Sequence, residues 1–132
     1  MNSETDYHDL YIVSFALTEG RREWMDLHGV GHHLLLCNGK SCIRNGAETV
    51  TKAIRKDIRD QNLTDTIHTT KTLCNGQCKY GPIVVLYPQG YWYRAMTPTL
   101  GKALVESIGT HHPLKQSLLY SYARKGFRSE LF

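Results

Sequence analysis

The chain has 132 residues, of which 41% are hydrophobic and 21% charged, and a formal net charge of +4. A chain of this length buries a core without covalent or metal staples, and this composition excludes global disorder. The charge is too small to argue for a nucleic-acid partner, and no apolar run approaches the length that spans a bilayer.

Residues 1–32 read as an N-terminal extension. The opening MNSETDYHDLYIVSF has no basic stretch ahead of an apolar core, so no export signal is expected and the setting is the reducing cytoplasm. Residues 11–17 fit a short strand or the start of a helix, and 21–28 fit two helical turns carrying Trp24, Met25 and Leu27. Packing on the domain or stabilising a dimer is the simplest role for this extension.

The domain proper is expected over 33–116. The apolar run from Leu34 to Cys37 enters a loop at Asn38-Gly39, which predicts a buried strand delivering Cys37 at its end. Asn45 followed by Glu48 has the form of a capping box, and Ala47, Val50, Ile54 and Ile58 then mark the buried face of a helix ending near Gln61-Asn62. The opposite face, with Lys52, Arg55, Lys56 and Arg59, reads as solvated.

TIHTTKTL, residues 66–73, predicts a second strand ending at Cys74. Pro82 opens a third strand over 83–87, and Pro88-Gln89-Gly90 turns into an antiparallel fourth over 91–95. Thr97-Pro98 starts a second helix with Leu100, Ala103, Leu104 and Ile108 inward and Gly109 at its end. The fold class is α/β, a four-stranded mixed sheet with flanking helices. Residues 117–132 are left as a C-terminal tail, either a packed helix or a free end.

The chemistry concentrates in the four cysteines. Cys37 and Cys42 enclose four residues, Cys74 and Cys78 enclose three, and thirty-one residues separate the pairs. If strands one and two are parallel through the intervening helix, both pairs emerge at one edge of the sheet. An iron–sulfur cluster, a zinc ion or disulfides are the candidates. A reducing compartment weighs against disulfides, and structural zinc sites favour tighter C-x2-C knuckles. No C-x-x-C is present, which removes the motif of a thiol–disulfide oxidoreductase. The pairs His32-His33 and His111-His112 read as surface or packing residues, and Tyr91, Trp92 and Tyr93 as strand packing rather than a base-stacking platform.

From about Leu34 to Lys115 the chain resembles the thioredoxin-like [2Fe-2S] ferredoxins, which include small bacterial ferredoxins and the 24-kDa-type subunit of respiratory complex I. The resemblance is carried by Cys37-x4-Cys42, by Cys74-Asn-Gly-Gln-Cys78 followed by Gly81-Pro82, by the continuation IVVLYPQGYWY, by Thr97-Pro98 and by His111-His112-Pro113-Leu114. The four-residue first spacing is like the complex I subunit, whereas the free-standing ferredoxins have a longer first loop.

The resemblance implies a thioredoxin-like fold and one [2Fe-2S] cluster, with Cys37 and Cys42 on one iron and Cys74 and Cys78 on the other. It implies one-electron transfer with no substrate and no bond made. Gly39 and Gly76 are placed to let backbone N–H groups approach the sulfurs, and Lys40, Arg44 and Lys79 to offset cluster charge. With no dinucleotide-binding glycine motif, electrons are expected to arrive through a redox partner protein, with a tetrapyrrole or cobalamin pathway or respiration as candidate settings. A homodimer is compatible with this reading, and neither nucleic acid nor membrane insertion is expected. The alternative is a zinc-stabilised interaction module with four cysteine ligands and no redox activity.

Overall fold

The computed structural model describes residues 26–131, the side chain of Cys78 excepted. The expectations for 11–17 and for most of 21–28 lie outside the described residues. In chain order the elements are β1 (His32–Cys37), α1 (Lys40–Arg44), α2 (Ala47–Asp60), β2 (Ile67–Thr72), β3 (Val84–Tyr87), β4 (Tyr91–Tyr93), α3 (Pro98–Ile108), β5 (Leu118–Ala123) and β6 (Gly126–Ser129). Single 3-10 turns cover Cys78–Tyr80 and Lys115–Ser117.

β1 and β2 are parallel, with Cys37 opposite Thr72, because α2 carries the chain back to the start of the sheet between them. Both cysteine loops therefore leave the same end of neighbouring strands. The remaining pairs are antiparallel, and the full order is β2-β1-β3-β4-β5-β6. The sheet thus has six strands rather than the expected four. The additional two come from the C-terminal stretch, where Leu118, Leu119 and Ser121 are buried and Tyr120 pairs with Trp92. Gly126, at φ 112°, starts the returning strand with a backbone that other residues rarely adopt.

Alternation along the strands sends Leu34, Leu36, Val84, Leu86 and Tyr93 into one core with Val50, Ile54 and Ile58 of α2 and Leu104, Val105 and Ile108 of α3. Both long helices therefore lie on one face. Tyr93 is fully buried, and burial pushes its phenol up to about 12. The other face carries Leu35, Val85 and Trp92, and Phe127 lies 5.5 Å from the Trp92 ring. Among the described residues no α2-like helix covers it.

α2 begins differently from the expected capping box. Gly46, at φ 98°, is its N-cap with no side-chain hydrogen bond, and Asn45 instead donates from Nδ2 to the Ser41 carbonyl at 3.0 Å, closing α1. The α3 start is as expected, with Thr97 Oγ1 accepting from the Leu100 N–H at 3.1 Å. Its buried stripe includes Gly101 and Val105, while Leu100 is only partly covered. Gly101 is where α3 meets α2, since a Cβ there would lie 2.8 Å from Ile54 Cγ1. Gly101→Val is expected to destabilise the fold by about 1–3 kcal/mol through overpacking, measured by urea unfolding.

Candidate metal centre

Cys37 is the last residue of β1, and Cys42 is the one buried residue of α1. Each is 2% exposed, and both pack with Ala47, Ile83, Val85 and Leu119 behind the first loop. Cys74 follows β2 by two residues and is exposed, and Cys78 opens the turn Cys78–Tyr80, which packs against α1. The first pair is thus presented from a buried wall and Cys74 from the rim. The side chain of Cys78, the fourth predicted ligand, lies outside the described residues.

The two loops are pressed together by backbone contacts. The Asn38 N–H donates to the Thr72 carbonyl at 2.8 Å, extending the β1–β2 ladder one residue past the end of β1. Asn38 Nδ2 donates to the Leu36 carbonyl and to Thr51 Oγ1, each at 3.1 Å, which fixes the loop to α2. Gly39 then lies directly on Cys74: a Cβ at Gly39 would come within 2.9 Å of the Cys74 Cα and N. The glycine permits this close approach, since any side chain there would meet the Cys74 backbone. On the second loop, the Tyr120 hydroxyl of β5 donates to Gln77 Oε1 at 3.4 Å, so the C-terminal stretch braces the site. Neither Asn38 nor Tyr120 was marked by the sequence, because each acts through a fold contact with no local motif.

The surroundings of the Cys74 and Cys37 sulfurs differ. The Gly76 N–H donates to Cys74 Sγ at 3.3 Å, a bond that strengthens when the sulfur is negative. The Cys37 thiol donates to the Leu73 carbonyl at 3.4 Å, a bond that requires the proton and is given up when the sulfur ligates metal. Among the described residues, no three His, Cys, Asp or Glu side chains converge as ligands of a single metal ion. The cysteines instead come from two abutting loops. Such an arrangement fits a two-iron group that takes two thiolates on each iron.

The histidines sit elsewhere. His33 is at the opposite end of β1 from Cys37, roughly 13 Å along the strand. Its Nε2 is 2.7 Å from Thr70 Oγ1, and its ring is 4.9 Å from that of its cross-strand neighbour His68. Partial burial, reinforced by His68, holds the His33 imidazole below its ordinary pKa. The folded state then binds its proton less readily than the unfolded chain does, so this contribution to stability is present above about pH 6.5 and lost as the pH falls further. Urea midpoints should drop between about pH 7 and 5, and His33→Gln should flatten that slope. Superimposable profiles for the two proteins would show that His33 does not titrate against folding. His32 Nδ1 is 3.2 Å from Gln89 Nε2, also remote from the loops in the fold.

Comparison with known proteins agrees with this geometry. The family model for thioredoxin-like [2Fe-2S] ferredoxins matches residues 25–109. A Priestia megaterium protein named as a 2Fe-2S ferredoxin is 45% identical over 105 residues, which is 79% of this chain and 82% of that one. A 2Fe-2S ferredoxin from Clostridium pasteurianum is 31% identical over 84 residues, 58% of this chain and 82% of the other. Among solved structures, the thioredoxin-like [2Fe-2S] ferredoxin from Aquifex aeolicus superposes with a TM-score of 0.65 at 25% identity, covering 71% of this chain and 94% of that one. Two Cys-to-Ser variants of the Aquifex protein have also been crystallised, and they superpose with TM-scores of 0.63 and 0.61. With its fold, its paired cysteine loops and more than half its length matched, the chain belongs to the thioredoxin-like [2Fe-2S] ferredoxin family.

Proposed function

We propose that this chain is a one-electron carrier whose [2Fe-2S] cluster is held by Cys37, Cys42, Cys74 and Cys78. The observation that carries the ligand assignment is the contact of the two loops, with Gly39 seated on the backbone of Cys74. When bound, a [2Fe-2S] cluster accepts and returns one electron without making or breaking a substrate bond. The chain's own part is to hold the sulfurs and set their surroundings. Apolar Ala47, Ile83, Val85 and Leu119 keep water from the Cys37 and Cys42 side. The Gly76 N–H stabilises negative charge on Cys74 and so favours the reduced state.

Electron exchange with a separate redox protein, in a biosynthetic or respiratory system, is the setting this reading supports. The cytoplasm is the compartment whose reducing poise keeps such thiols available. No helix among the described residues is long and apolar enough to cross a membrane. A homodimer remains compatible with this role, and equilibrium sedimentation measures it directly.

The test is an absorption and EPR spectrum of anaerobically purified protein before and after dithionite, with iron and acid-labile sulfide measured on the same sample. Visible absorbance with iron and sulfide in equal amounts is expected, together with an EPR signal that appears on one-electron reduction. The double variant His32→Gln/His33→Gln should leave both spectra unchanged. A colourless protein carrying only zinc would make the chain a zinc-stabilised module instead.

A further inference from the structure

We infer that the surface over the cysteine loops is a docking site for a redox protein that presents an acidic face. This inference rests on the electron-carrier reading and names the chemistry of its partner. Leu73 is 83% exposed, one residue before Cys74, and its carbonyl lies 3.4 Å from Cys37 Sγ. Ile43 on α1, one residue after Cys42, is 42% exposed. Beside Leu73 runs a groove of about 200 Å³ lined by Leu35, Val85, Trp92 and Cys74. An apolar side chain of a partner seated there touches Cys74 itself, which shortens the path for an electron to the protein's surface.

Charge selects the partner. Lys40, Arg44 and Lys79 are exposed, each within two residues of a cysteine of the two loops. No Asp or Glu occurs in residues 27–47 or 66–105, and the nearest carboxylate along the chain is Glu48 in the first turn of α2. A [2Fe-2S] core with four thiolates carries two net negative charges when oxidised and three when reduced. With no carboxylate close to them in sequence, these cations offset that charge on the surface a partner meets first. Attraction of this kind raises the encounter rate and orients the approach, while the small apolar centre gives a contact that forms and releases quickly.

Stopped-flow oxidation of the dithionite-reduced protein tests this, with an acidic b-type cytochrome and, separately, basic cytochrome c as oxidants. In each reaction one electron leaves the reduced cluster, and one ferric haem becomes ferrous. The acidic cytochrome is expected to react faster at low salt, with a rate that falls as salt is added. The double variant Lys40→Glu/Lys79→Glu should slow that reaction about tenfold at low salt and much less at high salt, with iron and sulfide content unchanged. Leu73→Ser should slow it at every salt concentration. A faster reaction with basic cytochrome c at low salt, or variants with unaltered rates, overturns the docking inference and leaves the carrier reading intact. Failure of the protein to take up one electron from dithionite, measured before any cytochrome is added, overturns the carrier reading and this inference together.

Discussion

Cys42→Ser is expected to lose the cluster and to destabilise the fold, whereas Cys74→Ser loses the cluster at little cost in stability. The difference follows from where each thiol sits. Cys42 is 2% exposed among Ala47, Ile83, Val85 and Leu119, so a serine there places a hydroxyl in an apolar wall. Exchanging a buried sulfur for a smaller and more polar hydroxyl in such a wall costs about 0.5–3 kcal/mol. Cys74 is exposed, and a hydroxyl at that position stays hydrated. Both variants remove one of four thiolates, and iron content should fall about tenfold or more, since even groups that merely support a metal ligand cost that much when removed. The larger core, built from Leu34, Leu36, Ile54 and Leu104, lies on the helix-covered face, so far-UV circular dichroism should keep its native shape in both variants. Iron and sulfide analysis gives the first quantity and urea unfolding the second. If all four single serine variants keep the wild-type spectrum, the ligand assignment is wrong.

Much of this arrangement is legible in the residues, and the exceptions have physical causes. Ala47, Val50, Ile54 and Ile58 announce α2 because one buried face repeats at helical spacing, and Thr97-Pro98 announces α3 through a cap that forms as the residue types predict. The parallel pairing of β1 and β2 follows from a helix lying between two strands. α1 is different: five residues inside a loop rich in Gly, Ser and Asn leave no room for a repeat, and its single buried residue is Cys42. Asn45 and Glu48 form the letters of a capping box, yet Gly46 takes the cap in a left-handed backbone and frees the Asn45 amide to close α1.

β5 and β6 lack a clear strand signature because their exposed positions carry large apolar groups. Tyr122 and Phe127 are 59% and 52% exposed, so burial does not follow the usual inward-apolar, outward-polar alternation. Their rings instead pack on one another at 5.3 Å across the hairpin. At the site, the cysteines declare themselves by spacing. The contact that joins the loops does not, since a glycine in a loop has the same appearance whether it turns the chain or admits a neighbour.

Gly39→Ala distinguishes those two roles. Its backbone, at φ −67° and ψ 167°, is extended and open to any residue, so alanine introduces no conformational strain. The obstacle is contact: the new Cβ would lie 2.9 Å from both Cα and N of Cys74 and 3.0 Å from its Cβ. Two of those atoms are backbone and cannot rotate away, so one loop must shift relative to the other. The Asn38 N–H bond to the Thr72 carbonyl and the Asn38 amide bond to Thr51 resist that shift from the first loop. Overpacking of this kind costs about 1–3 kcal/mol. The larger effect should fall on the cluster, because displacing Cys74 from Cys37 and Cys42 spoils a ligand set that spans both loops. Cluster content should drop several-fold, and the residual EPR signal should broaden or shift. Gly46→Ala is the control, since that position has a left-handed backbone at φ 98° but only Thr49 Oγ1 within reach at 3.6 Å. It should cost about 1–2 kcal/mol of stability with near-normal cluster content. Wild-type iron and sulfide in Gly39→Ala would mean that the two loops do not meet through Gly39 when the protein holds its cluster.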